Sequence, residues 1–140
     1  MSKLRIVIDT NVLLMCLPKK SVYRKIFDAF LEGKFELLIT NEIINEYVEK
    51  IEEKTNYEIA NNVGELLVNN EFSRKVEVHI KWNLIEEDYD DNKFVDCCIA
   101  GQGGIIVTND KHFNKLQDVK FPSIQVINSD QFLSRIQTLY

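Results

Sequence analysis

Four acidic side chains, far apart in the chain, carry the chemistry this sequence offers: Asp9, Glu46, Asp96 and Asp110. Asp9 ends IVIDTN, where a run of β-branched apolar residues stops on a carboxylate, and Asp110 ends the similar IIVTND. Two carboxylates about 5 Å apart repel by roughly 3 kcal/mol at an effective dielectric near 20. Acids gathered in one cleft therefore raise one another's pKa or bind a cation. Only Lys93 and Lys111 flank the two later acids, too little charge to neutralise a quartet. Hard divalent cations take oxygen ligands, and Mg²⁺ keeps several waters while held by a few carboxylates. Hydrated Mg²⁺ or Mn²⁺ activates water and stabilises charge on a phosphoryl group. With no Ser–His or Cys–His pair in view, that chemistry is phosphodiester hydrolysis.

The acids must be brought together by the elements that carry them. Apolar runs of strand length recur at Leu4–Ile8, Phe35–Ile39, Val76–Ile80, Ile105–Val107 and Ile124–Ile127. Stretches of helical period lie between most of them. Ser21 can cap a helix with Val22, Ile26, Phe27 and Phe30 on one face, ending at Gly33. Thr40 or Asn41 can cap the next, with Ile43, Ile44, Tyr47, Val48 and Ile51 inward. Further helices are predicted over Tyr57–Asn70, with Ile59, Val63, Leu66 and Leu67 inward, and over Asn92–Ala100. A short one follows Asp110, and the last is Asp130–Thr138, capped near Ser129. Strands alternating with helices predict an α/β fold with a parallel sheet covered on both faces. Ligands of such sheets bind beyond the carboxyl ends of the strands, where strand order reverses. Asp9 and Asp110 fall on that rim, Glu46 about two turns into the helix after the second strand, and Asp96 in the helix before the fourth.

Taken singly, Asp9 and Asp110 are as readily caps of the helices that follow them. Glu46 shares its helix with Glu42, Glu49, Glu52 and Glu53, an arrangement usually solvated. Asp96 is harder to set aside: it sits between Val95 and the apolar Cys97–Ala100 run, where an unpaired carboxylate is costly. The case rests on the combination.

That combination resembles the PIN-domain ribonucleases. The resemblance rests on IVIDTN, the acid in IINEYVEKI, the block DDNKFVDCCIAGQGGIIVTND and the segment KHFNKL, and it covers almost the whole chain. The block is most similar to the branch of toxin components of bacterial toxin–antitoxin pairs. The resemblance implies a single domain over residues 1–140 with a three-layer α/β/α arrangement around about five parallel strands. It implies a metal-dependent endoribonuclease with Asp9, Glu46, Asp96 and Asp110 as catalytic metal ligands for Mg²⁺ or Mn²⁺. Thr10, Asn11 and Thr108 are supporting residues in this carry-over. Asp91 is acidic in this branch too, and is either an outer ligand or the cap of its helix, the cap being the simpler reading. RNA as substrate, a cognate antitoxin as partner and a homodimer follow from the same likeness. Asn109 stands where the family usually has Gly, and the segment around Asp96 departs from the commoner Glu-containing form, so metal distances can differ.

Composition bounds the alternatives. The chain is 45% hydrophobic and 28% charged with net charge −5, an ordinary globular balance with no broad basic footprint. Metals that meet phosphates directly remove that objection; Lys19, Lys20, Arg24 and Lys25 are either a flank of the cleft or a solvated helix face. The absence of a secretory pattern or a membrane-length apolar run predicts a cytoplasmic protein. Three cysteines, Cys16, Cys97 and Cys98, form no disulfide framework and read as packing residues. A phosphotransferase of the haloacid-dehalogenase type would want an acid where Asn11 stands, and a receiver domain fails at its third and fifth strands. The remaining rival is a non-catalytic binding module with an idle acidic pocket.

Overall fold

The computed structural model describes residues 3–138. Among them, five strands form one all-parallel sheet in the order β3-β2-β1-β4-β5, namely β1 (Leu4–Ile8), β2 (Phe35–Ile39), β3 (Ser73–Lys75), β4 (Gly104–Val107) and β5 (Gln125–Ile127). The helices are α1 (Thr10–Cys16), α2 (Arg24–Leu31), α3 (Asn41–Lys54), α4 (Tyr57–Asn69), α5 (Asn92–Ala100) and α6 (Ser129–Gln137), with 3₁₀ turns at Tyr89–Asp91 and Lys111–Asp118. The expected three-layer α/β/α fold is therefore the one observed. The chain builds β1, β2 and β3 outward in one direction, then returns to lay β4 on the other side of β1. The strand order reverses between β1 and β4, which is where a parallel sheet opens a crevice.

Alternation along the strands sends side chains into two layers. Ile8, Phe35 and Leu37 lie among Leu13, Phe27, Phe30 and Leu67 on one face, where Phe35 meets Phe132 of α6 edge-on at 5.2 Å. Leu38 points the other way, against the turn Gly101–Gly103 that ends α5; a Cβ on either glycine would come within 2.8 Å of its methyl group. The centres of β1 and β4, Ile6, Val7, Ile106 and Val107, are completely buried. No helix among the described residues is long and apolar enough to cross a membrane.

Several elements differ from the sequence reading. The third strand is Ser73–Lys75 rather than Val76–Ile80, and Ile80 is exposed. It is an edge strand, hydrogen-bonded on one side only. After Val76 donates to the Ile39 carbonyl at 2.8 Å, the chain leaves the sheet to meet α5. Helix α1 has no counterpart among the predicted elements. Its seven residues are too few for a periodic signal, and its cap is Asp9 itself, whose Oδ1 accepts from Val12 N at 2.9 Å. Ser21 does not cap α2; its hydroxyl donates to the Met15 carbonyl at 2.6 Å, and Val22 is 67% exposed. Helix α4 buries Ala60, Gly64 and Leu67, leaving Ile59 and Leu66 partly exposed, because α3 packs close enough that a Cβ on Gly64 would sit 2.7 Å from Val48. The cap expected near Ser129 is Asn128, in a reciprocal bond with Gln131.

Candidate active site

Asp9 leaves β1 at the crevice, with its backbone N–H bonded to the Val107 carbonyl at 3.1 Å. One carboxylate oxygen caps α1. The other accepts the hydroxyl of Thr108, the first residue beyond β4. The Thr108 hydroxyl in turn accepts from Asp110 N at 3.0 Å, so this buried threonine couples the ends of the two central strands. Burial pushes the Asp9 carboxyl above its usual range; bonds from Thr108 and Val12 oppose that, while the charges of Asp110 and Glu46 add to it.

Glu46 reaches the same edge from α3. The adjacent Tyr47 is fully buried and donates its hydroxyl to the Ile8 carbonyl, which fixes α3 against the end of β1. One Glu46 oxygen accepts from Thr10, and the other lies 2.6 Å from the Lys93 ammonium. Lys93 also contacts Asp90 at 2.9 Å. Burial works against the Lys93 charge, but the hydrogen bonds to Glu46 and Asp90 outweigh it and raise its pKa.

The third contribution comes from the start of α5. Asn92 clamps the incoming segment by donating to the Ile85 carbonyl and accepting from Ile85 N, both at 2.9 Å. This places Asp91 beside Asp110 and His112, where one ligand atom from each of the three lies within 4.8 Å of the others. Asp91 occupies the cap position of α5, yet its side chain makes no capping bond, contrary to the simpler reading of that residue. Its Oδ2 is buried without a hydrogen-bond partner, and the His112 Nδ1 stands 4.0 Å away. Burial, then the charges of Asp88, Asp110 and Asp9, push the Asp91 carboxyl up to about 7, with His112 opposing. A buried carboxylate oxygen facing like charges with no donor is what a hard divalent cation would complete. The oxygen-rich set of Asp91, Asp110 and Asp9, with one imidazole, fits Mg²⁺ or Mn²⁺ chemically.

Asp9, Glu46 and Asp110 thus lie at one crevice with Thr10 and Thr108. Asn11 is exposed on α1 and makes no side-chain bond to the acids. Asp96 is not brought to them. Five residues beyond Asp91, it lies about 140° further around the helix. Its Oδ1 instead accepts from Trp82 N at 3.1 Å, and the charges acting on it are Lys81 and Glu42. Burial raises its pKa in this separate setting. Lys93 and His112 complete the crevice. His112 follows Asp110 by two residues, the offset at which a capping carboxylate meets its own turn, and that spacing was the available signal. Arg24, one of the basic candidates for a flank, is committed to Asp28 at 3.1 Å on its own helix. All three cysteines are free and buried, their thiols pushed up to about 12 for Cys16 and Cys97 and about 11 for Cys98 by desolvation.

The PIN domain family model matches residues 5–112, spanning all the acids of the crevice. No curated protein is significantly similar to the chain. Among solved structures, that of the PIN domain endonuclease Utp24 aligns over 89% of this chain and 84% of its own, with 22% identity and a TM-score of 0.46. On the match of the family model over most of its length, the chain belongs to the PIN domain family.

Proposed function

We propose that this protein is a Mg²⁺- or Mn²⁺-dependent nuclease that hydrolyses phosphodiester bonds of RNA, acting in the cytoplasm as the toxin of a toxin–antitoxin pair. Family membership supports the nuclease-type activity. The observation that carries the metal dependence is the unpartnered Asp91 oxygen beside Asp110 and His112. Asp9, Asp91 and Asp110 would hold the ion, with His112 at its margin. When bound, the ion supplies charge for the phosphoryl group and an acidified water.

The chain's own groups do the rest. Thr108 ties one Asp9 oxygen to the Asp110 backbone and so couples the segments that carry the two carboxylates. Lys93 orients Glu46 and offsets its repulsion towards an incoming phosphate. Burial of Asp9 and of one Asp91 oxygen lowers the local dielectric, which strengthens any interaction with a cation.

The test is incubation with a mixed RNA pool in Mn²⁺ or in EDTA, beside Asp9→Asn. Cleavage only in Mn²⁺, and only by the native chain, is expected. Cleavage that survives Asp9→Asn would come from another nuclease and remove the proposal. One observation favours the rival reading of an idle pocket: Glu46 is already neutralised by Lys93. Metal-dependent cleavage discriminates the two. The toxin role implies a small antitoxin partner and a homodimer; a neighbouring reading frame with a DNA-binding pattern supports it, and a strictly monomeric chain in light scattering counts against the dimer.

A further inference from the structure

Asp96 opens a different question. It lies against a cavity of about 720 Å³, within the range of small-molecule sites, between the amino end of α3, the segment after β3 and the start of α5. The cavity neighbours the crevice through Lys93, which lines the one and grips Glu46 in the other. Lys75, His79 and Lys81 stand along its wall with Tyr89, which is 68% exposed. Asp96 is the buried group among them, 5% exposed. Its Oδ1 takes the Trp82 N–H, and its Oδ2 has no donor among the described residues. That second oxygen is not closed off from solvent, so it presents an acceptor-only carboxylate oxygen to the cavity. The cavity therefore offers an acceptor to an occupant that brings N–H donors on a flat face, between walls that carry Glu42 and Glu77 as well as Lys75, Lys81 and Lys93.

We infer that this cavity receives a base of the RNA strand next to the cut, and that Asp96 is the residue that selects guanine there. The inference rests on the nuclease reading above. Single-stranded RNA is read through Watson–Crick edges and by stacking on aromatic side chains. Guanine alone presents two adjacent donors, N1–H and N2–H, on that edge. Adenine and cytosine set one amine beside a ring acceptor, and uracil sets one N–H between carbonyls, so each would push an acceptor against the carboxylate. Lys75 and Lys81 supply charge for the flanking phosphates, and Tyr89 an exposed ring.

The test is to sequence the ends produced from a randomised single-stranded RNA pool in Mn²⁺, with the native chain and with Asp96→Asn. Guanine at one fixed position from the cut should be favoured about tenfold or more, the size of a good paired base contact, and Asp96→Asn should erase that preference whatever its overall rate. A native chain with no base preference, or an Asp96→Asn chain that keeps the guanine preference, overturns the inference while leaving the nuclease reading intact. A second measurement needs neither cleavage nor a folded variant. Guanosine 5′-monophosphate or its adenosine counterpart is titrated into the native chain, following Trp82, the single tryptophan. The guanine nucleotide should bind about tenfold more tightly. Equal affinities overturn the inference even if RNA is cut. Absence of cleavage in every metal would end the nuclease reading separately, with the titration still deciding the cavity.

Discussion

Asp91 and Asp96 sit on one helix segment, five residues apart, and both are drawn above the usual carboxylate range chiefly by burial. Their surroundings nonetheless assign them different work. Asp91 faces Asp110 and His112 with one buried oxygen unpartnered, so its deficit is positive charge. Asp96 faces a cavity lined by both lysines and glutamates, with one oxygen held by a backbone N–H, so its deficit is a hydrogen-bond donor. Burial alone does not distinguish a metal ligand from a recognition residue; the identity of the nearest charges does.

The sharpest way to break this comparison is to neutralise each acid in turn. Asp91→Asn should lower metal-dependent cleavage about a hundredfold or more while leaving the Tm equal or higher, since it removes like-charge repulsion. Equal losses from Asp91→Asn and Asp96→Asn at unchanged base preference would erase the distinction. Thr108→Val should cost roughly ten- to a hundredfold in activity or metal affinity, the range for groups that orient ligands, measurable by titrating Mn²⁺. Lys93→Met should destabilise the fold by about 2 kcal/mol in denaturant melts, because Glu46 loses its buried charge-assisted bond. A neutral result there would mean that solvent already screens the pair.

The smallest effect is in pH. The Asp91 carboxyl binds its proton more tightly folded than unfolded, its pKa rising from 3.8 to about 7. It therefore adds stability that is complete below the unfolded value and lost as pH rises through about 7. The metal-free chain should lose a few degrees of Tm over that interval, and Asp91→Asn should flatten the loss. Added Mn²⁺ competes with the same proton, so its affinity should rise over the same interval. A Tm independent of pH in the native chain would place Asp91 in water rather than in the crevice.

Much of the fold is legible in the residues. Continuous apolar runs placed β1, β2 and β4, because strands covered on both faces admit few polar residues. Asp9 and Asp110 were legible as rim residues because each directly follows such a run. The third strand was misplaced because an edge strand is specified by one neighbour, and its sequence SRK carries no apolar run. α1 was hidden by its brevity and by a cap that also belongs to the crevice.

The sequence by itself determined that carboxylates would gather where the parallel strands end, since strand order and winding leave few other places for Asp9 and Asp110. Only the tertiary structure decided whether the acid capping α5 or the one within it joins them. Asp91 and Asp96 are equally acidic and nearly adjacent in sequence, but a helix turns about 100° per residue. The clamp of Asn92 on Ile85 sets the angle at which that helix meets the sheet. That rotation sends Asp91 to the crevice and Asp96 to its own cavity, a choice made by packing, which no pattern of residue types encodes.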